Sequence, residues 1–265
     1  MTSTHVAKPG TPVYVEAGGA GPGLLVLLHG LGATGAVWRP FVEVMAGRWR
    51  GRWLAIDLPG HGASAPAESY GIDQQAAILG STLQSCVQVG EPLTLVGHSL
   101  GGVLALALGS AGHGVIPDQV FAIGIKCAWS DADLQRMSRF AMLTPTLFDE
   151  ESAAWERYLL VTGLGGLVAA GSPVLARGVI RQGEAWRLAM DPAANGSGRP
   201  PVAELFAASR CPVFLSRGGH DRLVSLQQLR AVQPSAQDIG RYGHNVTVES
   251  PEAVWDWVAT ALRHA

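Results

Sequence analysis

Two apolar runs with a glycine-flanked serine between them occupy residues 92–111. The first run, "PLTLVG" at 92–97, has the length of a buried strand, and the second, "GGVLALALGSA" at 101–111, has the length of a helix. The pentapeptide "GHSLG" at 97–101 fits GxSxG, a turn so tight that its outer positions need glycine and its serine hydroxyl is exposed. The stretch therefore predicts a strand that turns sharply into a helix, with a nucleophile, Ser99, at the turn.

The same alternation of short apolar runs and helical patterns continues on both sides of this turn. Strand patterns lie at 13–17, 24–29, 53–58, 92–97, 119–125, 212–218 and 236–240. Helical patterns lie at 35–46, 73–89, 101–111, 224–232 and 251–265. Nearly continuous apolar strands are typical of a sheet that is covered on both faces, and strand–helix alternation favours parallel pairing. We therefore expect an α/β fold whose mostly parallel sheet carries helices on both faces.

The alternation stops between residues 129 and 201, and no strand is predicted there. Helical patterns fill most of this stretch, at 131–143, 150–164 and 173–190. The Gly- and Pro-rich "NGSGRPP" then leads back to the sheet. We therefore expect a core built from residues 1–128 and 202–265, and a helical cap inserted at 129–201.

Aromatic and methionine side chains are frequent in the expected cap. Helices with such apolar faces must bury them, and the available partners are the edge of the core and a bound ligand. We predict that some of these side chains form the wall of a substrate pocket. The candidates are Trp129, Met137, Phe140, Phe148 and Trp155.

Charge and composition exclude several classes of function. The chain has 19 Lys and Arg against 21 Asp and Glu, a net charge of −2, so we expect no surface for nucleic acid or an anionic membrane. No apolar leader follows the N-terminus, and "GLLVLLHG" at 23–30 is shorter than the ~20 residues of a membrane span. We therefore predict a soluble cytoplasmic protein. Cys86, Cys127 and Cys211 lack the number and spacing of a disulfide framework or a zinc site, and no metal is predicted.

A nucleophilic serine needs a base, and His244 is the best placed of the eight histidines. It lies in the loop between the last predicted strand and the last helix, and such loops assemble the sites of parallel sheets. Asp221 follows the penultimate predicted strand and completes the chain order Ser, Asp, His. Asp131 and Asp133, which follow the strand before the cap, stay open as alternative acids.

The loop "HGLGATG" at 29–35 follows an early strand and is a candidate oxyanion loop. The backbone N–H groups of Leu31 and Leu100 are candidates to bind the oxyanion that forms when a serine attacks an acyl carbon. Gly30 and Gly32 would allow this loop to approach the reacting atoms closely.

Together these motifs resemble those of the α/β-hydrolase family, and the likeness extends over nearly the whole chain outside the cap. The motifs are "HGLG" at 29–32, "DLPGHG" at 57–62, "GHSLGG" at 97–102, "GGHD" at 218–221 and "GHNVTVESPEAV" at 243–254. The resemblance implies that Ser99 is the nucleophile, His244 the general base and Asp221 the carboxylate that orients this base. It also implies oxyanion binding by the backbone of Leu31 and Leu100, a sheet of seven or eight strands, and no cofactor.

The residue types at two positions narrow the activity that this resemblance implies. Serine at position 99 argues against dehalogenases and epoxide hydrolases, whose nucleophile is aspartate, and Asn245 stands where many carbon–carbon bond hydrolases have tryptophan. We expect a serine hydrolase whose small-molecule substrate is a small to medium, largely apolar ester, thioester or lactone. Two alternatives stay open: a cofactor-free lyase, perhydrolase or dioxygenase, and a ligand-binding or signalling protein with slow turnover.

Overall fold

The computed structural model of the protein describes residues 4–5, 13–110 and 112–262. Ten strands lie within these residues: β1 (Thr4–His5), β2 (Val15–Gly19), β3 (Leu24–Leu28), β4 (Arg52–Ile56), β5 (Leu93–His98), β6 (Gln119–Ile123), β7 (Val179–Gln182), β8 (Ala185–Leu188), β9 (Val213–Gly218) and β10 (Gln237–Ile239). Eight of them form one sheet in the order β1-β2-β4-β3-β5-β6-β9-β10. The β1–β2 and β2–β4 pairs are antiparallel, and every other pair in this sheet is parallel. The predicted mostly parallel sheet is confirmed.

Nine α-helices lie in the same part of the chain. They are α1 (Arg39–Met45), α2 (Ile72–Cys86), α3 (Leu100–Ser110), α4 (Asp131–Ala141), α5 (Glu151–Thr162), α6 (Val202–Ala207), α7 (Leu226–Val232), α8 (Val246–Glu249) and α9 (Pro251–Leu262). The bounds of α2, α3, α7 and α9 agree with the helical patterns of the sequence to within a few residues. The short α8, directly after His244, has no counterpart among those patterns.

The central strands are apolar on both sides because helices cover both faces of the sheet. All five residues of β3 are buried: Leu24, Val26 and Leu28 belong to one apolar cluster, and Leu25 and Leu27 to the other. The first cluster includes side chains of α2 and α3, and the second includes those of α1 and α9. Alternate residues of one strand therefore enter different cores, which explains the continuous apolar runs in the sequence.

The carboxyl ends of β3, β5, β6 and β9 meet at one edge of the sheet because these strands are parallel. Hydrogen bonds connect the loops that leave this edge: the Ser99 N–H donates to the Ile123 carbonyl over 2.8 Å, and the Gly101 N–H to the His29 carbonyl over 3.0 Å. The turn that carries Ser99 and the loop that begins at His29 are therefore held side by side.

The stretch at 129–201, the inserted segment below, contains α4 and α5 where helices were predicted. The third predicted helix, at 173–190, is wrong, because β7 and β8 pair there as an antiparallel hairpin. Gly183 begins the two-residue turn between them with a φ of 64°, a conformation that a helix does not contain. The backbone of Trp186 also exchanges two 2.8 Å hydrogen bonds with Phe148, which extends the pairing to a residue far away in the chain.

A buried ion pair attaches the inserted segment to the core. Asp57, which has no exposed surface, accepts hydrogen bonds from both Arg177 Nε (2.8 Å) and Arg177 Nη2 (3.0 Å). It also accepts the N–H groups of Gly35 at 2.7 Å and Ala63 at 2.9 Å. Burial works to raise the pKa of the Asp57 carboxyl, but the hydrogen bonds and charge of Arg177 hold it below its ordinary value. One carboxylate therefore connects the inserted segment to the loops after β3 and β4.

We expect Arg177→Met to lower the free energy of unfolding by about 3–5 kcal/mol, because Asp57 would remain as an unpaired buried charge. Urea unfolding followed by circular dichroism measures this loss. The double variant Asp57→Asn/Arg177→Met is the control, and we expect it to recover part of the stability because a neutral amide replaces the unpaired carboxylate of Asp57. A loss below about 1 kcal/mol in the single variant would mean that the pair acts like an exposed ion pair.

Candidate active site

The turn between β5 and α3 has the geometry that GxSxG predicts. Ser99 has a φ of 52°, one of two positive φ values among the described non-glycine residues. A Cβ atom at Gly97 would overlap the Gly101 carbonyl oxygen, and one at Gly101 would overlap the Leu28 carbonyl oxygen. The flanking glycines are therefore required by space, and the serine is held in a strained conformation of the kind that clusters at functional sites.

His244 and Asp221 are in direct contact. His244 Nδ1–H donates to Asp221 Oδ2 over 2.7 Å, which leaves the other ring nitrogen, Nε2, free to accept a proton. Asp221 is 5% exposed, and its Oδ1 accepts the N–H groups of Leu223 (2.8 Å) and Val224 (3.3 Å). Burial works to raise the pKa of Asp221, but His244 and these backbone donors hold it below its ordinary value. The carboxylate is therefore ionised and orients the imidazole.

The two alternative acids have other partners. Asp133 Oδ2 accepts from Lys126 Nζ over 2.7 Å, its Oδ1 accepts from Arg136 over 2.6 Å, and its side chain closes a capping box with Ser130 at the start of α4. Asp131 is exposed and lies 3.7 Å from Arg199. The geometry therefore favours Asp221 as the carboxylate that faces His244.

Ser99 and His244 line one cavity of about 600 Å³, the serine cavity below. Leu31 lines it from the core side, and residues 160–165 line it from the inserted segment. Among the residues that the structure describes, no hydrogen bond joins Ser99 Oγ to His244 Nε2, so that contact stays a prediction for the complex with substrate. Such hydrogen bonds are often long before a substrate binds and shorten in the complex.

Asn245 connects the loop of His244 to the inserted segment. Its Nδ2 donates to the carbonyl oxygens of Thr162 and Gly163, each at 3.0 Å. These carbonyls end α5, where a helix leaves its last acceptors without intrahelical donors. The inserted segment is therefore in contact with the sheet edge that carries Ser99.

His98 lies against His244 and supports its backbone. The two rings are 4.7 Å apart, and His98 Nε2–H donates to the His244 carbonyl over 2.8 Å. Burial, together with the charge of a protonated His244, lowers the pKa of His98 to about 3, so this imidazole stays neutral. A Cβ atom at Gly124 would lie 3.3 Å from the His244 ring and 3.4 Å from the His98 ring, so the glycine after β6 gives both rings room. The sequence shows His98 only as the variable residue of GxSxG, and its support of His244 was missed.

Two buried histidines hold the candidate oxyanion loop. His29 Nε2 accepts the Leu58 N–H over 2.9 Å, and its Nδ1–H donates to the Gly30 carbonyl over 2.7 Å. His61 Nε2 accepts the Gly32 N–H over 3.1 Å. Burial and the neighbouring His61 lower the pKa of His29 to about 3, and burial also lowers the pKa of His61. Both rings therefore stay neutral and act as fixed hydrogen-bond acceptors for the loops.

Leu31 and Leu100, whose backbone N–H groups are the predicted oxyanion donors, lie next to the serine turn. Leu100 is the first residue of α3, so its N–H is one of the amides that lack an intrahelical acceptor. The Leu31 N–H makes no hydrogen bond to another described residue, and a Cβ atom at Gly30 would lie 3.2 Å from Ser99 Cβ. Both amides are therefore available to an oxygen bound next to Ser99.

Arg217 holds the loop at 219–224, which contains Asp221, and this role was not predicted from the sequence. Its Nη1 donates to the carbonyls of Asp221 (3.0 Å) and Val224 (2.6 Å), and its Nη2 donates to the Gly219 carbonyl (3.2 Å). Its Nε donates to Asp238 Oδ1 over 2.8 Å. An arginine near a strand end carries no local signal for this role, because its partners are backbone carbonyls that only the folded loop brings together.

A second cavity of about 390 Å³ adjoins the serine cavity. Leu31, Leu160 and Val161 line both cavities. Phe140 and Phe148, two of the predicted pocket residues, line the second cavity.

The other three predicted pocket residues line neither cavity. Trp129 donates from Nε1 to the Lys126 carbonyl over 3.0 Å and has the Lys126 ammonium 4.7 Å from its ring centre. Trp155 packs edge-on against Tyr158 at 5.6 Å, within the apolar cluster below the inserted segment. Met137 is half-buried on α4. Side-chain type alone did not separate residues that pack from residues that line a cavity.

The described residues contain no group of three or more His, Cys, Asp or Glu side chains arranged to hold a metal ion. Cys86, Cys127 and Cys211 are free thiols. Within the same part of the chain, every helix is too short or too polar to cross a lipid bilayer.

Comparison with known proteins shows the family of this chain. The model of the alpha/beta hydrolase family matches residues 25–257, which is most of the chain. The protein belongs to the α/β-hydrolase family. Its sheet order and its serine turn are accordingly those of an α/β-hydrolase fold.

Individual proteins resemble this α/β-hydrolase at sequence identities of 20% to 30%. It is 30% identical over 134 residues to a pimeloyl-[acyl-carrier protein] methyl ester esterase of Methylococcus capsulatus, and the match covers 49% of each chain. The chain thus spans about half the length of that curated relative. A crystal structure of E-2-(acetamidomethylene)succinate hydrolase superposes with a TM-score of 0.79 at 22% identity and covers 99% of both chains. A thioesterase domain from the curacin biosynthetic pathway has a TM-score of 0.78 at 20% identity, covering 98% of this chain and 99% of its own.

We expect the stability of this α/β-hydrolase to fall between pH 7 and pH 5. His29 and His98 have folded-state pKa values of about 3, below the value of about 6.5 in an unfolded chain, so protons favour the unfolded state. Their stabilising effect is complete above about pH 6.5 and is lost as the pH falls towards 3. By pH 5 the loss of stability amounts to about 2 kcal/mol for each residue. Urea midpoints at pH 7 and pH 5 measure this effect.

The variant His29→Gln is the matched control for this pH dependence. It removes one of the two groups, so its stability should change less between pH 7 and pH 5 than that of the native protein, whatever its stability at pH 7. Equal midpoints at both pH values in the native protein would contradict the assignment of neutral buried imidazoles.

Proposed function

We propose that the protein is a serine hydrolase that cleaves a small to medium, largely apolar ester, thioester or lactone through an acyl-enzyme on Ser99. One observation carries the proposal. His244, whose Nδ1 lies 2.7 Å from Asp221 Oδ2, lines the same cavity as a serine held at a φ of 52°. A base oriented by a buried carboxylate, in the same cavity as a strained serine, is the arrangement that activates a hydroxyl for attack on an acyl carbon.

The proposed reaction begins when Ser99 Oγ attacks the acyl carbon and His244 Nε2 takes the hydroxyl proton. Asp221 stabilises the resulting imidazolium. The carbonyl oxygen becomes an oxyanion between the N–H groups of Leu31 and Leu100, and one such donor is worth on the order of 3 kcal/mol in the transition state.

The bond to the leaving group then breaks, and the leaving alcohol, thiol or lactone hydroxyl takes the proton from His244. A water molecule repeats the sequence: His244 removes its proton, its oxygen attacks the acyl carbon, and the proton returns to Ser99 Oγ as the acid is released. Water is the co-reactant, and Ser99 and His244 return to their starting protonation states.

The substrate class is supported by the surroundings of Ser99. The second cavity is lined mostly by apolar side chains and adjoins the serine cavity, so an apolar part of the substrate has a place to bind. We further propose that the inserted segment acts as a cap that determines which chains fit. The names of the relatives, a methyl ester esterase and a thioesterase domain, are consistent with ester or thioester cleavage.

We expect Ser99→Ala to abolish hydrolysis of p-nitrophenyl butyrate, because loss of a triad nucleophile costs on the order of a millionfold in turnover. The variant should also fail to react with a fluorophosphonate probe that labels the native protein. Ser81→Ala, at an exposed position of α2, is the matched control and should retain both activities.

Retention of more than about a hundredth of the turnover in Ser99→Ala would be inconsistent with a triad nucleophile. If the native protein is labelled by the probe but does not turn over esters, thioesters or lactones, the ligand-binding alternative is favoured instead.

We expect Phe148→Ala to shift the preference among p-nitrophenyl esters towards longer or bulkier acyl groups, because it enlarges the second cavity. Ratios of kcat/KM across a chain-length series measure the shift, and fluorophosphonate labelling of Ser99 should persist. Trp155→Ala is the control on the same segment. It removes packing against Tyr158 and should lower stability without changing the order of preference. An unchanged order in Phe148→Ala would argue that the second cavity does not hold the substrate.

A further inference from the structure

The second cavity is lined mostly by apolar side chains and has one charged residue. Ten of its fourteen lining residues have apolar side chains, three are neutral polar residues, and one, Arg157, is charged. An apolar cavity with a single cation is suited to a ligand that is apolar along its length and anionic at one end.

Along α5, Arg157 lies beyond the apolar residues that line both cavities, as seen from Ser99. Leu160 and Val161, near the end of α5, line both cavities, and Arg157 lines only the second. Because Leu160 and Val161 are three and four positions after Arg157, the three residues share one face of the helix, and Arg157 lies about 4.5–6 Å further along the axis at 1.5 Å per residue. A chain that leaves the serine cavity past Leu31 would meet apolar side chains first and the guanidinium about one turn later.

Arg157 has no anionic partner among the residues that the structure describes. Its neighbours one helical turn away on α5 are Ala153, Ala154, Leu160 and Val161, none of which can neutralise it. Two other arginines of the inserted segment do have such partners, since Arg136 pairs with Asp133 and Arg177 with Asp57. The overall charge of −2 provides no general attraction for anions, so an effect of Arg157 would be local.

We propose that the substrate is an ester whose apolar chain ends in a carboxylate, and that Arg157 recognises this carboxylate at the far end of the second cavity. The inference rests on the proposed function, since it assigns the substrate of the same serine. A guanidinium presents paired N–H donors that match the two oxygens of a carboxylate, so Arg157 would select the anionic chain over a neutral chain of equal length.

The test compares substrates that differ only in the terminal charge. One arm uses monomethyl esters of dicarboxylic acids against methyl esters of monocarboxylic acids of matched length, so that the anion lies on the acyl side. The other arm uses acetate esters of ω-hydroxy acids against acetates of matched alcohols, so that the anion lies on the alcohol side. Hydrolysis is followed by proton release in weak buffer, and kcat and KM are measured separately.

In one of the two arms we expect the native enzyme to prefer the anionic substrate. Arg157→Gln should lower kcat/KM for that substrate about tenfold, mainly through KM, and change the neutral substrate less than about twofold. Arg157→Glu should lower it further. High salt should reduce the preference, because the guanidinium is exposed to solvent. Arg139→Gln is the matched control: Arg139 is an exposed arginine of the same segment that lines neither cavity, and its loss should leave both substrates unchanged.

Equal losses for anionic and neutral substrates in Arg157→Gln, the same selective loss in Arg139→Gln, or no anion preference in either arm of the native enzyme would overturn the inference. Each of these outcomes leaves the proposed function intact, provided that the neutral esters are hydrolysed in a Ser99-dependent way. If the native protein hydrolyses neither the neutral nor the anionic esters, the proposed function fails and the inference fails with it.

Discussion

The buried carboxylate of Asp57 holds together the parts of this protein that surround the candidate site. It accepts hydrogen bonds from the loop after β3, from the loop after β4 and from Arg177 of the inserted segment. A buried charge is costly unless it is fully paired, so these partners cannot separate without a large loss of stability. Asp57, which takes no part in the proposed chemistry, therefore helps to fix the position of the inserted segment relative to the candidate oxyanion loop.

Neutral histidines fix the rest of the site in a similar way. Three buried imidazoles, His29, His61 and His98, use their ring nitrogens to bind backbone groups of the loops at the carboxyl edge of the sheet. His244 differs from these three, because it lines the serine cavity and pairs with Asp221, which suits it to the proposed proton transfer. Burial separates the two roles, because an imidazole without access to water stays neutral and serves as a fixed donor and acceptor. The loops around His244 are therefore held in place by hydrogen bonds from neutral imidazoles.

Much of the fold could be predicted because its signals are local. The apolar run of β3, the glycines of the Ser99 turn and the helical spacing of α2 are readable in a few consecutive residues. The hairpin of β7 and β8 could not be predicted in this way, since its four-residue runs resemble a helix until the turn at Gly183 and the pairing with Phe148 are known. The roles of Arg217 and Arg177 were also missed, because their partners lie in other segments of the chain.

The sequence by itself determined the α/β class and the strained serine turn, and it offered Ser99, His244 and three candidate acids, of which Asp221 was favoured. The class and the turn follow from local patterns, because apolar runs mark the strands and the tight turn requires its flanking glycines. The tertiary structure alone decided which acid faces His244. It also decided which side chains of the inserted segment line a cavity, as Phe148 does, and which pack against other side chains, as Trp155 does. The physical reason is that orientation and burial depend on contacts between distant segments, and residue type at one position does not specify them.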